Sequence, residues 1–428
     1  MKRSLLILVS LLVVASMVLT ACAPATETPA TEAPATEAPA TEAPATEAPM
    51  EPVTISIWHQ WSGDYLIAIT EVFNQYMAMH PNVTIDLSKP DDVTASLAVA
   101  IPAGEGPDII AWANDQIGTN ALNGNIVALN DYGVDMAFLE SVYEPAAIAG
   151  VVWQDMIWAL PETQEGIAFV YNIDLVPEQY LPTNPLDFAA LLEKAQQFKA
   201  DTGLDLFCNQ GFPGGDAFHV APLYFGFGVP SYIDDQGIAY LNTPEAIAAG
   251  EWLVEISGVL STEASHEICK TRLIEGQAGA WWTGPWAIAD LEAAGVNYGI
   301  IPMGRPFVGI KTVMMTANAV DRGHVEVALD IMMYYTSAEA QSQLALINKT
   351  IPAQTAALAD PEIQALPSII GFGAALNLGI PMANTPYAGA QWGPVGDATG
   401  AIWNGSQTPA EALAAAQTAI EAAIAGMK

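Results

Sequence analysis

Aromatic residues and carboxylates recur together along this sequence, a combination suited to binding a sugar. Trp112 is followed three residues later by Asp115, and Glu165, Trp286 and Trp392 stand further along the chain. The C–H face of a pyranose packs on an aromatic ring, and its rim of hydroxyls needs acceptors such as carboxylates. We therefore expect the tryptophans to stack on a ligand and the two carboxylates to accept its hydrogen bonds.

Three further residues are weaker candidates for the same site. Asp64 would be a third acceptor, and Trp61 and Phe218 would lie behind the stacking residues. The alternative for any of these aromatic residues is packing in the protein core.

The sequence carries no recognised catalytic motif. It contains no Gly-x-Ser-x-Gly, no phosphate-binding Walker loop and no His-Glu-x-x-His, and the glycine-rich segment 211–215 predicts a plain loop. Glu162 and Glu165 suggest a glycosidase pair, which needs two carboxyl groups about 5–10 Å apart. Two glutamates at this spacing are common in an acidic chain, so we predict that the protein is not an enzyme.

Metals, cofactors and nucleic acids are not expected as partners. The five histidines are scattered, without Cys-x-x-Cys or His-x-x-x-His spacing. With 12 Lys and Arg against 47 Asp and Glu, the net charge of −35 argues against binding to phosphate backbones. Cys208 and Cys269 are available to pair in an oxidising compartment, but the sequence does not show whether they approach each other.

The N-terminus has the features of a secreted lipoprotein. Lys2 and Arg3 precede an apolar run over residues 5–19, which is typical of a signal peptide. The segment Leu19-Thr20-Ala21-Cys22 looks like a bacterial lipobox. We predict a signal peptide over residues 1–21 and a lipid anchor on Cys22.

A low-complexity segment follows the predicted anchor. Thr-Glu-Ala-Pro-Ala repeats with a period of five within residues 22–50. Such a segment offers no large apolar residues to form a core, and its glutamates repel one another. We predict a disordered tether that joins the anchor to a globular body over residues 51–428.

The body alternates strands with helices. Residues 53–58 predict a strand, 65–80 an amphipathic helix, 83–87 a second strand, and 108–111 a third after the stretch 95–100. This β-α-β pattern indicates an α/β fold with a doubly wound sheet. Helical periodicity returns over residues 185–202, 243–258, 323–335 and 409–425.

Several ordered motifs run along the body. They are Gly106-Pro107-Asp108 with Trp112-x-x-Asp115, the stretch from Pro161 to Tyr171-Asn172, Gly284-Pro285-Trp286, and Asn297-Tyr298-Gly299 with Phe307-Val308-Gly309. Together they resemble the maltose-binding family of extracellular solute-binding proteins (family 1) from bacterial ABC sugar importers. Thr283 replaces the asparagine that usually precedes the Gly-Pro-Trp motif.

The resemblance implies a two-lobe periplasmic-binding-protein fold of the type II kind, with a sheet flanked by helices in each lobe and a hinge between them. The N-lobe would span residues 51–162 and 303–356, and the C-lobe residues 163–302 and 357–428. It also implies that Trp112, Asp115, Glu165, Trp286 and Trp392 occupy ligand-binding positions, with Phe218 where a stacking tyrosine is usual.

The implied function is the capture of an oligosaccharide, similar to maltose or trehalose, for delivery to the permease of an ABC transporter. The protein would be an extracytoplasmic, membrane-anchored monomer. Gly63-Asp64-Tyr65 lacks an expected lysine, and Asp92 and Gln116 replace expected basic residues, so the resemblance does not single out maltose as the ligand. A secreted carbohydrate-active hydrolase and a non-transport adhesin lipoprotein remain alternatives.

Overall fold

A computed structural model describes residues 51–427, apart from the side chain of Asp64. The predicted signal peptide, the anchor at Cys22 and the tether lie outside the described residues. None of the helices within residues 51–427 has the length and apolar character needed to cross a membrane.

The strands are β1 Val53–His59, β2 Val83–Ser88, β3 Ile109–Ala113, β4 Val152–Trp153, β5 Met156–Ile157, β6 Leu160–Glu165, β7 Ala168–Asn172, β8 Ala280–Thr283, β9 Tyr298–Ile301, β10 Phe307–Met315, β11 Ile351–Pro352 and β12 Ile380–Pro381.

The helices are α1 Gly63–Met79, α2 Val93–Ala100, α3 Ile117–Leu122, α4 Met136–Val142, α5 Pro145–Val151, α6 Phe188–Thr202, α7 Gly211–Gly214, α8 Ala217–Gly226, α9 Pro244–Ser257, α10 His266–Ile274, α11 Ile288–Ala293, α12 Ala317–Asp321, α13 Val325–Tyr335, α14 Ala338–Asn348, α15 Thr355–Leu358, α16 Pro361–Gln364, α17 Pro367–Leu376, α18 Trp392–Trp403 and α19 Pro409–Ala425.

The predicted strand and helix types are confirmed, with small shifts at the ends. The helix expected from residue 185 begins at Phe188, because the Asp187 carboxylate caps it by accepting from the backbone N–H of Ala190. The helix expected from residue 323 begins at Val325. The loop predicted over residues 211–215 is wrong in part, because Gly211–Gly214 forms one helical turn that ends at left-handed Gly215.

The larger sheet is seven-stranded and mixed, in the order β11-β6-β10-β3-β1-β2, with β12 paired to β10. Strand β1 pairs in parallel with β2 and β3, as expected for β-α-β units. Strand β10 then runs antiparallel between β3 and β6. This insertion brings together strand ends that are far apart in the sequence.

The smaller sheet contains three antiparallel strands in the order β8-β7-β9, and β4 and β5 form a separate antiparallel pair. The chain passes from the larger sheet to the smaller one between β6 and β7, and returns between β9 and β10. One large apolar core packs around β1, β3 and α1, and another around β7, α6 and α18. Two sheets with separate cores fit the predicted two-lobe α/β fold.

Cys208 and Cys269 form a disulfide, which the sequence had left open. Their Cα atoms lie 5.4 Å apart, and both residues are buried. Cys208 lies beside Trp281 of β8, and Cys269 belongs to α10. The bond therefore fixes helix α10 against the smaller sheet.

Candidate functional site: a cavity lined by aromatic rings and carboxylates

A cavity of about 460 Å³ lies where the ends of β3 and β6 and the middle of β10 face the starts of α8 and α18. Its size is within the usual range for small-molecule sites, about 300–1,000 Å³. The residues that line it are Gln60, Trp112, Ala113, Asp115, Glu165, Gly215, Asp216, Ala217, Phe218, His219, Trp286, Lys311, Met382 and Trp392.

The Gly-Pro-Asp turn before β3 is structural. The Asp108 carboxylate accepts hydrogen bonds from the backbone N–H and hydroxyl of Ser56, at 2.8 and 2.9 Å, and from Arg322 at 3.0 Å. A side chain at Gly106 would meet Ile101 and Asn318 at under 3 Å. The turn thus fixes β3 against β1 and determines where Trp112 and Asp115 emerge.

Asp115 follows β3 in a short 3₁₀ turn and is buried at the cavity wall. Its Oδ2 accepts hydrogen bonds from the indole Nε1 of Trp392, at 2.9 Å, and from the amide of Gln116, at 3.0 Å. Burial raises the pKa of Asp115, and these two hydrogen bonds oppose the rise. Because Trp392 begins α18, the bond joins the two sides of the cavity.

Glu165 and Lys311 form the floor of the cavity. Strand β10 pairs Lys311 with Ala113 of β3 and Gly309 with Glu165 of β6, so these residues face the same side of the sheet. The ammonium of Lys311 lies 3.5 Å from Glu165 Oε1. That oxygen is buried without a hydrogen-bond partner among the described residues. Burial raises the pKa of Glu165, and Lys311 opposes the rise.

Glu162 is buried next to this floor but does not line the cavity. Its Oε1 accepts a hydrogen bond of 3.1 Å from the Tyr65 hydroxyl. Burial raises the pKa of Glu162 to about 7, although Lys311 acts in the opposite direction. Glycoside hydrolysis needs two carboxyl groups that both face the substrate. The buried position of Glu162 therefore does not support a glycosidase pair with Glu165.

Aromatic rings make up the opposite side of the cavity. The Phe218 ring centroid is 6.1 Å from that of Trp286 and 6.5 Å from that of Trp392. Phe307 stacks behind Phe218 at 5.9 Å, at an interplanar angle of 15°. Trp286 and Trp392 are only partly buried, so their rings offer surface to a ligand.

Two glycines bring the chain segments on this side close together. Gly215 has a positive φ of 69°, and a side chain there would meet the carbonyl oxygen of Gly396 at 2.9 Å. A side chain at Gly396 would likewise meet Gly215. Only glycine permits this approach of α18 to the start of α8, which places Trp392 beside Phe218.

Asp216 and His219 form a hydrogen-bonded pair in the cavity wall. Asp216 Oδ2 lies 2.6 Å from His219 Nδ1, and Asp216 Oδ1 accepts from the backbone N–H of Phe218 at the start of α8. Burial opposes ionisation of Asp216, but the contacts with His219 outweigh it and lower the pKa of Asp216 to about 2. An ionised carboxylate can only accept, so Nδ1 carries a proton. His219 Nε2 is buried without a partner among the described residues.

Six of the eight predicted site residues line this cavity: Trp112, Asp115, Glu165, Phe218, Trp286 and Trp392. Trp61 does not line it. Trp61 is 2% exposed, packs in the core against His59, Phe73 and Tyr335, and lines a neighbouring cavity of about 420 Å³. Asp64 is the second residue of α1, and its side chain is outside what the structure describes.

Five polar or flexible residues of the cavity were not predicted: Gln60, Asp216, His219, Lys311 and Met382. Asp216 has a local signal, because an aspartate before an apolar helix is a typical N-cap. Lys311 stands in a largely apolar strand, and only the pairing of β10 with β3 and β6 brings it to the site.

Comparisons with known proteins agree with this architecture. Residues 71–370 match the family described as bacterial extracellular solute-binding proteins. The chain is 29% identical over 354 residues to a maltotriose-binding protein of Pyrococcus abyssi, covering 80% of this chain and 75% of that protein. It is 24% identical over 335 residues to a galactooligosaccharide-binding protein of Bacillus subtilis, covering 74% and 77%.

Solved structures share the fold. A maltose/maltodextrin-binding domain from Bdellovibrio bacteriovorus, bound to maltotriose, superposes with a TM-score of 0.76 at 21% identity, covering 87% of this chain and all of that one. The GacH receptor of Streptomyces glaucescens also has a TM-score of 0.76, at 18% identity, covering 86% and 97%. These likenesses confirm the predicted two-lobe fold.

The family match spans most of the globular body, and it confirms the resemblance that the sequence motifs suggested. The chain therefore belongs to the bacterial extracellular solute-binding proteins, and it is a binding protein that acts outside the cytoplasm and not an enzyme.

Proposed function

We propose that this protein captures an oligosaccharide, similar to maltotriose or trehalose, and delivers it to the permease of an ABC importer. The observation that carries the proposal is the composition of the cavity. Partly exposed faces of Trp286 and Trp392 lie opposite the buried carboxylates of Asp115 and Glu165. Sugars combine a C–H face with a rim of hydroxyls, and both are matched here.

The arrangement favours an uncharged, hydroxyl-rich ligand over an anion or a fatty chain. Carboxylates at the wall and floor repel anions, and Lys311 alone among the described lining residues carries a fixed positive charge. An apolar ligand would leave Glu165 Oε1 buried without a hydrogen-bond partner, which costs about 1–3 kcal/mol. The names of the relatives, which bind maltotriose and galactooligosaccharides, support the same ligand class.

The two lobes would close on the ligand. We place the N-lobe at residues 51–162 and 303–356, and the C-lobe at residues 163–302 and 357–428. The chain links between β6 and β7 and between β9 and β10 would act as the hinge. Ligand shifts such an equilibrium only by its greater affinity for the closed form, and that form would be recognised by the permease.

We also propose that the mature protein is a monomer held at the membrane by a lipid on Cys22, with residues 23–50 as its tether. The lipobox-like segment and the Thr/Glu/Ala/Pro repeat support this. Mass spectrometry of the mature N-terminus tests the anchor. A diacylated Cys22 is expected, and an unmodified N-terminus would contradict it.

A thermal-shift screen tests the ligand class. The purified protein is melted with maltose, trehalose, maltotriose and a galactotriose, and each hit is titrated by calorimetry. A sugar at 100 times its dissociation constant should stabilise the protein by about 2.7 kcal/mol. No stabilisation by any sugar, together with stabilisation by amino acids or peptides in a parallel panel, would overturn the proposal.

A further inference from the structure

Lys311 is a charged side chain in an otherwise mostly apolar strand. Its neighbours along β10 are Ile310, Thr312 and Val313, and only 15% of the Lys311 side chain is exposed. Placing a lysine in this position costs desolvation energy, which is offset only by good partners. The residues that the structure describes do not supply a close hydrogen-bond acceptor for the Lys311 ammonium at the site.

Glu165 is the nearest carboxylate, and its geometry with Lys311 leaves both groups open to a further contact. Their separation of 3.5 Å is longer than a charge-assisted hydrogen bond of about 2.7–2.9 Å. Glu165 Oε1 has no hydrogen-bond partner among the described residues. The Lys311 ammonium also lies 5.2 Å from the centroid of the Tyr65 ring, a contact that leaves its hydrogen-bond donors available.

Lys311 also stands where two cavities meet. The site cavity and its neighbour of about 420 Å³ share three lining residues, which are Gln60, Trp286 and Lys311. Trp286 offers an aromatic face at this junction, and Glu165 lines the site cavity beside it. A sugar ring on Trp286 would therefore have its edge within reach of the Lys311 and Glu165 pair.

We propose that Lys311 is a ligand-contacting residue that determines specificity. Its ammonium donates a hydrogen bond to one hydroxyl of a sugar ring, and the adjacent hydroxyl of the same ring donates a hydrogen bond to Glu165. The inference rests on the proposed function and deepens it. An ammonium can only donate and a carboxylate can only accept, so one hydroxyl accepts from Lys311 while its neighbour on the ring donates to Glu165. The pair therefore selects a ring with two adjacent free hydroxyls at the junction of the cavities.

A ring that lacks either hydroxyl leaves one buried charge without its partner. Sites that hydrogen-bond a substrate hydroxyl reject analogues without it far more strongly than apolar pockets discriminate by size. The pair would also discriminate between glycosidic linkages. A glycosidic bond at either position replaces the free hydroxyl, so that position can no longer donate to Glu165, and the attached sugar blocks close contact with Lys311.

The competing explanation is that Lys311 only neutralises its neighbours. Its charge acts on two buried carboxyl groups, Glu162 and Glu165, and lowers the pKa of each relative to burial alone. Lys311→Met would then weaken sugar binding indirectly, by altering Glu165. The two roles are separated by measuring how much Lys311→Met weakens sugar binding in a protein that already carries Glu165→Gln. Direct contact with the sugar predicts a further loss of affinity there, and neutralisation of Glu165 alone predicts none.

The test is calorimetric titration of the tightest-binding sugar from the four-sugar panel into wild type, Lys311→Met, Glu165→Gln and the double variant. The double variant loses one cation and one anion, so it keeps the net charge of the floor and is the safer protein to fold. Lys199→Met is the matched control, since Lys199 pairs with Asp205 at 2.9 Å and does not line the cavity. Thermal melts without sugar verify folding of each variant.

We expect Lys311→Met to weaken binding about 10- to 100-fold, and to weaken it at least about fivefold further in the Glu165→Gln protein. We also expect one monodeoxy derivative of the sugar to bind wild type more weakly than the parent sugar does. The same derivative and the parent sugar should bind Lys311→Met with equal affinity. Unchanged binding by Lys311→Met, or an effect that disappears in the double variant, would overturn the inference. Wild-type protein that binds no sugar of the panel would instead overturn the proposed function, and this inference with it.

Discussion

The two sides of the cavity are built from different elements and carry different chemistry. On one side, the turn after β3, the end of β6 and the middle of β10 supply the charged groups Asp115, Glu165 and Lys311, and Trp112 of β3 also lines the cavity. On the other, the starts of helices and a 3₁₀ turn supply mainly rings, those of Phe218, Trp286 and Trp392, with Asp216 as the charged group.

The two sides differ because strands and helices fix the positions of side chains in different ways. Neighbouring strands fix charged side chains through their register, so a small error in pairing would separate Glu165 from Lys311. Rings on the helical side are held by packing, with Phe307 behind Phe218. We therefore expect the sheet side to determine which hydroxyls bind, and the helical side to supply most of the contact area.

The largest expected effect concerns the helical side. Replacing Trp286 or Trp392 by Ala should each weaken sugar binding by about 2–4 kcal/mol, the range of buried aromatic hot spots. Because both rings are partly exposed, the free energy of unfolding should change little. Trp282→Ala is the matched control, since Trp282 is fully buried in the core and should cost about 3–5 kcal/mol of stability.

Calorimetric titrations beside denaturant melts of the three variants separate these outcomes. Collapsed melts for Trp286→Ala and Trp392→Ala would show that both rings are core residues. The prediction that the helical side supplies the stacking contacts with the sugar would then be wrong.

The sheet side should show a smaller loss on substitution. Truncating Asp115 to Ala or changing Glu165 to Gln should weaken binding by about 1.5–3 kcal/mol, the contribution of a hydrogen bond to a charged group. Trp392 also loses its acceptor in Asp115→Ala, so this variant should be the weaker binder of the two. The same titrations measure it, and losses above those of the tryptophan variants would reverse the proposed ranking.

The smallest effect is on stability and comes from the buried charge of Glu162. Its pKa is about 7 in the folded protein against an ordinary value of 4.5. The folded state therefore holds a proton that the unfolded state has lost, and this group's contribution to stability falls as pH rises from about 4.5 to 7. Glu162→Gln can still accept from Tyr65 and removes the ionisation.

We expect Glu162→Gln to be more stable than wild type at pH 8, with the difference vanishing near pH 4.5. Urea unfolding at both pH values measures it, and sugar binding should change little because Glu162 does not line the cavity. A variant that is less stable at pH 8 would contradict the assignment of a raised pKa to this group.

The sequence predicted the main strands and helices and the aromatic site residues, because both can be recognised from short stretches of sequence. Alternating apolar residues in β1 and the capped start of α6 are visible within a few positions. Trp112 and Asp115 stand close together in one motif, which the structure places at the end of β3.

The residues that were missed depend on contacts that are distant in the sequence. Lys311 reaches the floor only through the pairing of β10 with β3 and β6, whose partners lie about 150–200 positions away. Trp61 was proposed for the site from its type, but its ring fills the core between Phe73 and Tyr335. The cysteine pairing likewise joins positions 61 residues apart, which spacing alone does not determine.

The central claim is that one sugar is held between the charged residues of the sheet side, Asp115, Glu165 and Lys311, and the aromatic rings of the helical side. A crystal structure of the protein grown with the tightest-binding sugar of the panel tests it most directly. We predict pyranose rings stacked on Trp286 and Trp392, with ring hydroxyls hydrogen-bonded to Asp115 and Glu165. A sugar bound elsewhere on the protein, with this cavity empty, would contradict the account.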